Sequence, residues 1–267
     1  MKRAASLRQR KYRDREGAFL VEGADLVAAG IAAGYLPQAV FLRAELADEL
    51  SARLGLGDGS GAAAAPADGG VAAAVFAVSE RVAAHISTLE TPPDAMAVFP
   101  LPQRPRALAD DDAFIVYADG VQDPGNLGTL LRAVVVFGAT ALVTAPGSVD
   151  PFGPKAVRAS MGAIFAVPVL ADVSLADVVD QLCGAAVYGL SARGGAPLDE
   201  VALRRPAILA VGAERAGLSP AALACVTELV TIPLAPGASA VESLNAGVAG
   251  AIALYALSRR STEPKEG

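Results

Sequence analysis

The sequence predicts an α/β protein, with a small α/β domain ahead of a larger domain built on a parallel sheet. Three observations carry this. Short apolar runs alternate with helical patterns along the 267-residue chain. In the second half those runs are uniformly apolar, the pattern of strands covered on both faces. Between the halves, Pro100, Pro102 and Pro105 precede the acidic triplet Asp110, Asp111 and Asp112, which puts the boundary near residue 105.

In the first domain, residues 1–105, apolar residues at helical spacing over 22–33 predict a helix that Gly34 stops. Residues 38–42 read as a strand, and the Gly, Ala, Asp and Pro of 55–70 as a loop. Residues 71–78 are a second strand, Ser79 and Glu80 open a short helix, and 95–99 close the domain as a strand. In the second domain, residues 106–267, strands are expected at 114–118, 141–143, 167–170, 186–190, 208–211 and 228–232. Helices are expected at 128–137, 154–161, 175–182, 219–225 and 243–258. Ligands of such sheets bind where loops leave the carboxyl ends of the strands.

Composition narrows the chemistry. Lys and Arg number 22 against 28 Asp and Glu, a net charge of −6. There is one His (His85), two Cys (Cys183 and Cys225) and no Trp. A catalytic triad or metal centre built on several histidines is excluded, as is a four-cysteine zinc cage, so no metal is expected. Chemistry falls to Arg, Asn, Ser, Glu, Asp and the backbone, with a bound cofactor. His85 reads as a surface or capping residue, and both cysteines as packed thiols. Hydrophobic content is 53%, but Gly, Pro, Asn, Ser or Thr break the long uncharged runs 133–149 and 243–258, so no membrane span is expected. The N-terminus lacks the apolar stretch of a secretory signal, and a cytoplasmic protein is expected.

The charge is uneven. Residues 1–20 hold seven basic and two acidic residues, +5, leaving 15 basic and 26 acidic residues elsewhere, −11. A basic arm of this kind fits a solvated tail, and it also fits phosphate contact through Arg8, Arg10, Lys11 and Arg13.

Three loops that follow strands carry the informative residues. The first runs over 119–132, where a Gly/Pro/Asn turn opens a helix. Asn126 could bond a ribose or base, or cap the helix; Arg132 could act on a substrate or pair on the surface. The second, 212–218, follows a strand and holds Gly212, Glu214, Gly217 and Leu218; Glu214 could cap a helix or orient Arg132. The third starts at Ile232 and Leu234 and ends in Ser243, Leu244 and Asn245 at a helix start, where capping is the ordinary role. The small residues Ala246, Gly247, Ala249, Gly250 and Ala253 then allow close packing of helix on sheet or of subunit on subunit.

In this order and spacing, the three segments resemble the signature motifs of the SpoU (TrmH-like) class of SPOUT RNA methyltransferases. Asn126, Gly128 and Arg132 match the first motif, Gly212, Glu214, Gly217 and Leu218 the second, and Ser243, Leu244 and Asn245 the third. Residues 150–155, with Arg158 to Gly162, also look like that family, and residues 7–23 are similar to the ribosomal-protein-like RNA-binding domain that often precedes it. One departure is a longer stretch between Pro233 and Ser243.

The resemblance implies a C-terminal domain tied in a trefoil knot, S-adenosylmethionine as cofactor, a ribose 2′-hydroxyl as acceptor, and a homodimer with the site at the subunit interface. It places the cofactor along Leu190, Gly212, Ile232, Leu234, Ser243, Leu244 and Asn245. It gives catalysis to Arg132, with Asn126, Glu214, Ser243 and Asn245 around it, and it expects Glu214, Asn126 and Ser243 to orient Arg132 and the ribose. Lys155 and Arg158 join Arg8, Arg10, Lys11 and Arg13 as candidate RNA contacts. Ribosomal RNA is expected ahead of transfer RNA. A dinucleotide enzyme would need a Gly-x-Gly-x-x-Gly turn, which is absent. A non-catalytic RNA-binding or ribosome-assembly relative would not need the polar residues retained here.

Overall fold

The computed structural model describes residues 1–56, 73–102, 108, 111–235 and 244–259. The chain divides into two compact units. Unit 1 comprises Met1–Pro102 and Phe152–Phe165; unit 2 comprises Gln103–Pro151 and Ala166–Gly267. Residues 152–165, which the boundary near 105 assigns to the second domain, thus pack with the first.

Unit 1 begins with two short helices, α1 (Lys2–Ser6) and α2 (Arg10–Glu16). Gly17 ends α2 in the left-handed region, at φ 58°. The chain then enters β1 (Ala18–Glu22), buried at every residue. The expected helix follows as α3 (Ala24–Ala32), but it starts two residues late because Glu22 belongs to the strand. Next come β2 (Ala39–Arg43), α4 (Ala47–Arg53), β3 (Ala74–Val78), α5 (Glu80–Ile86) and β4 (Ala95–Pro100). Most of the expected 55–70 loop lies outside the described residues. The strands order as β1-β4-β2-β3; β4 is antiparallel to both its neighbours, and β2 and β3 are parallel. Leu7, Leu20, Phe41, Ile86 and Met96 pack together on one side.

Unit 2 holds β5 (Phe114–Asp119), α6 (Pro124–Val136) and β6 (Ala141–Thr144). The chain then passes through α7 (Pro154–Ala159), which belongs to unit 1, and returns as β7 (Val169–Leu170). It continues through α8 (Leu175–Gln181), β8 (Ala186–Ser191), β9 (Ala196–Pro197), β10 (Ala207–Gly212), α9 (Pro220–Leu223), β11 (Glu228–Thr231) and α10 (Ala246–Ser258). All seven strands are parallel, in the order β7-β6-β5-β10-β8-β11-β9. Central strands β5 and β10 are buried almost throughout, as their unbroken apolar runs require. The two-residue strand β9 had no apolar run to announce it. Among the described residues no helix is long and apolar enough to cross a membrane.

Residues 152–165 are held in unit 1 by rings and by a buried charge. Phe19 contacts Phe152 and Phe165, with centroids 5.3 and 5.9 Å apart, and Phe165 also meets Phe99 and Tyr35. Glu22, whose side chain is fully buried, accepts from Ser87 Oγ (2.7 Å), Thr88 N (2.6 Å) and Thr88 Oγ1 (2.7 Å). Arg158 Nη1 closes an ion pair with Glu22 and donates to Thr88 Oγ1 at 2.8 Å. A carboxylate taken out of water is tolerated only with such partners.

Candidate active site

The site is built at the carboxyl ends of β5, β10, β8 and β11. After β5, Asp123 caps α6, its Oδ1 accepting from Asn126 N at 2.9 Å. Pro124 takes the first helical turn, where its missing N–H costs nothing. A side chain at Gly125 would crowd the Asp123 carboxylate, at 2.9 Å. The cap is therefore Asp123, not Asn126, and α6 starts four residues earlier than its apolar pattern suggests.

Asn126 is free for another task. It is buried, and its Nδ2 donates to Glu214 Oε1 at 2.6 Å. Its Oδ1 accepts from Asn245 Nδ2 at 2.7 Å, and Asn245 Nδ2 also donates to Glu214 Oε1 at 2.8 Å. Asn245 meanwhile caps α10, its Oδ1 accepting from Val248 N at 3.1 Å. One residue from each motif thus enters a closed triangle of hydrogen bonds. Glycines of α10 allow it: a Cβ at Gly247 would lie 3.0 Å from Asn126 O, and one at Gly250 would overlap Leu130. Gly247 and Gly250 therefore allow close packing of α10 on α6, and at Gly250 on Val211 of β10 as well, while Ala246 and Ala249 line the neighbouring cleft.

Glu214 is held by its turn. Ala213 and Gly217 exchange hydrogen bonds of 3.0 and 2.8 Å, and Gly217 has φ +68°. A Cβ at Gly212 would overlap the Gly217 backbone, so this position takes only glycine. Asp119, buried at the end of β5, ties the turn down: its Oδ2 accepts from Ser219 N at 2.5 Å. Asp119 and Asp123 were not singled out in the sequence; the signal was a carboxylate at each edge of a strand-to-helix turn. Two strand positions away from Asp119, burial pushes the Tyr117 hydroxyl up to about 12, the nearby Asp119 charge adding to the effect.

Beside the triangle lies a cleft of about 930 Å³. Leu190, Gly212, Glu214, Ile232, Leu234 and Leu244 all line it, gathered from three loops. Asn245 stands behind it through its bond to Glu214. Ser243 lies outside the described residues.

Arg132 is the departure. It is exposed on α6 and makes no hydrogen bond or ion pair with any described residue. Six residues beyond Asn126, it is turned about a third of a revolution away. Neither Glu214 nor Asn126 bonds to it: the Asn126 amide and one Glu214 oxygen, Oε1, are engaged with each other and with Asn245.

The basic candidates divide as well. Arg13 is buried and donates to Leu7 O at 2.7 Å, so it serves the core of unit 1 rather than a phosphate. Arg158 is committed to Glu22, and Arg8 donates to the carbonyls of Ile86 (3.1 Å) and His85. Arg10 lies 3.7 Å from Asp14. Lys11 and Lys155 are exposed, and Lys11 sits over the Tyr12 ring at 4.9 Å. The N-terminal stretch is thus helical and partly buried rather than a loose arm. His85 is exposed on α5, in unit 1. Cys183 is exposed rather than packed, and Cys225 is partly buried.

An all-parallel sheet whose strand-end loops line one cleft, with apolar side chains, glycines and a few charged groups, defines an α/β domain of the ligand-binding, open-sheet class. Residues 113–255 match the SpoU rRNA Methylase family, and the chain belongs to that family. Residues 1–97 match the MRM3-like substrate binding domain. The 23S rRNA (guanosine(2553)-2′-O)-methyltransferase RlmP of Bacillus subtilis is 31% identical over 253 residues, covering 94% of this chain and 92% of the relative. A putative RNA methyltransferase of the TrmH family from Porphyromonas gingivalis has a TM-score of 0.79 at 37% identity, over 97% of each chain. The SpoU methyltransferase AviRb of Streptomyces viridochromogenes, in complex with AdoMet, has a TM-score of 0.83 at 26% identity, over 97% of this chain and 96% of that one. The fold is thus the one expected, a parallel-sheet SPOUT domain preceded by a small α/β domain.

Proposed function

We propose that this chain is an S-adenosylmethionine-dependent RNA methyltransferase that methylates a ribose 2′-hydroxyl, with ribosomal RNA as its substrate. The observation that carries the reading is the Asn126–Glu214–Asn245 triangle at the edge of the cleft. RlmP, by its name, methylates a 2′-oxygen of 23S rRNA, and AviRb holds AdoMet; both support the reading.

The cleft fits that cofactor. Leu190, Ile232, Leu234 and Leu244 provide apolar walls, and the turn 212–218 brings backbone polar groups to the same space. When bound, S-adenosylmethionine supplies the methyl group from a sulfonium whose positive charge is lost on transfer. The apolar residues exclude water and do not oppose that loss of charge. Glu214, fixed by two amides, positions the ribose together with Asn126 and Asn245; such positioning supplies much of the acceleration in a two-reactant displacement. Ser243 joins the same assignment through its place beside Leu244.

Arginine is always protonated, so Arg132 acts by charge: it stabilises the developing alkoxide and holds the neighbouring phosphate. It shares the exposed side of α6 with Val135 and Val136. Val248, Ile252 and Tyr255 of α10 line another exposed apolar face at helical spacing. We assign these faces to a homodimer, with Arg132 acting at the subunit interface. A trefoil-threaded C-terminal segment and a cytoplasmic location belong to the same reading. Arg10, Lys11 and Lys155 are the RNA contacts we keep.

The test is incubation with labelled cofactor and separate ribosomal and transfer RNA pools, followed by mapping of 2′-O-methyl positions. Label in ribosomal RNA at a ribose oxygen is the expected result. Label confined to transfer RNA, or to a base, overturns the corresponding half of the proposal.

A further inference from the structure

Two arginines of unit 2 have no task in the reading above. Arg193 and Arg215 both line the cleft. Both are exposed, and neither guanidinium has a hydrogen bond or ion pair with any described residue. They are carried by adjacent parallel strands, Arg193 just beyond β8 and Arg215 just beyond β10.

Neither sits on a loose loop. Ser191 Oγ donates to Arg193 O at 2.7 Å and accepts from Arg193 N at 3.3 Å. Gly195, at φ +101°, lies so close to β11 that an added Cβ would come within 2.6 Å of Leu229 O. The turn bearing Arg193 is thereby pinned to the sheet. Arg215 sits in the turn closed by the Ala213–Gly217 bonds. The built backbone places two positive charges on one cleft.

Their setting is otherwise acidic. Unit 2 has 10 basic and 16 acidic residues, a net charge of −6. The remaining charged group of the cleft lining, Glu214, already accepts two amide bonds. Two like charges on one cleft, neither paired with a described residue, repel, and a bound anion offsets that repulsion. Two positive side chains against one carboxylate leave the cleft lining net positive, and such a field draws in anionic ligands.

The geometry points to Arg193 and Arg215 as a phosphodiester clamp that seats the target RNA strand over the cofactor cleft. This rests on the methyltransferase reading and adds the contact that aligns the strand. A carboxylate has the same anionic chemistry, and the cofactor carries one. The strand is favoured because both guanidiniums are exposed and the cofactor, with a sulfonium and an ammonium, is a net cation. Arginine suits the task, since its planar fork matches a phosphate's oxygens.

The test uses the full-length protein and its R193Q/R215Q variant, with an unmodified large-subunit ribosomal RNA transcript and S-adenosylmethionine as separate probes. RNA affinity is measured between about 50 and 200 mM salt, the range over which phosphate contacts are strongly screened. The expected result is an RNA affinity about tenfold weaker and a log–log salt slope flatter by about 1.4, two contacts at about 0.7 each on a single strand. Cofactor affinity by calorimetry should stay within about twofold, and KM for RNA should rise more than kcat falls. Loss of cofactor affinity with unchanged RNA binding overturns the clamp in favour of the cofactor carboxylate. Unchanged RNA affinity and slope also overturn it. A wild-type protein that binds no S-adenosylmethionine refutes the methyltransferase reading instead, whatever the variant does.

Discussion

Two glutamates show how the halves of this chain use the same chemistry differently. Glu22 in unit 1 accepts four donors shared over both oxygens, and its side chain is fully buried. Glu214 in unit 2 accepts two donors, both on Oε1, and it is exposed on the lining of a cleft. A saturated, buried carboxylate holds structure. A carboxylate fixed through one oxygen keeps the other for a ligand. In the proposed reading, that orientation without saturation suits Glu214 to position the ribose.

That contrast can be broken in several ways. The largest effects belong to unit 2. Arg132→Ala should lower methyl transfer by at least about a thousandfold, in the upper range for loss of one preorganised charge donor. Its cofactor affinity should stay near wild type; turnover close to wild type would remove Arg132 from catalysis. Glu214→Gln keeps an acceptor but loses the charge, and should cost about a hundredfold in kcat with little change in Tm. A large drop in Tm would instead make Glu214 a structural residue like Glu22.

Next comes Arg158→Ala, which leaves the Glu22 carboxylate buried without its ion pair. It should destabilise unit 1 by about 3 kcal/mol, read by urea unfolding. Cofactor affinity should hold, since the cleft residues all lie in unit 2. Ile252→Asp tests the proposed dimer: sedimentation should shift toward the monomer while the variant keeps its fold.

The smallest effect concerns Glu16. Its bonds to Arg15 and Arg3 hold its carboxyl below the usual carboxylate range. A depressed value means the contribution is present above the unfolded pKa and fades as pH falls through the folded one. Wild type and Glu16→Gln should therefore differ slightly at neutral pH and converge in acid. A gap that widens in acid would contradict the assignment.

The sequence made the cleft legible, because glycines, Asn and Glu in loops after apolar strands are odd choices unless backbone shape or polar contact demands them. Gly212 and Asn245 are such residues, and both have the local setting their motifs imply. Long-range pairing was not legible. Strand β1 is short and follows a charged stretch, and only its partner β4 makes it a strand. Arg13 and Arg158 read as solvent-facing cations because nothing nearby in sequence names the buried oxygens they meet. The bonding of Asn126 to residues 88 and 119 positions away was equally invisible from spacing. For the RNA contacts of the N-terminal stretch, Lys11→Ala is a cleaner probe than a deletion of residues 1–16, which would remove Leu7 and Arg13 from the interior.

The return of residues 152–165 to unit 1 has a consequence for synthesis on the ribosome. An N-terminal domain ordinarily folds as soon as it emerges. Here Phe152, Arg158 and Phe165 are translated only after β5, α6 and β6 of the other unit. Until they emerge, Phe19 lacks two ring neighbours and Glu22 lacks its counter-ion. The N-terminal half must wait, partly built and with apolar surface open, for a segment encoded far downstream. Its vulnerable interval is set by the elongation rate through residue 165, so slow translation of that stretch should increase the demand for chaperones.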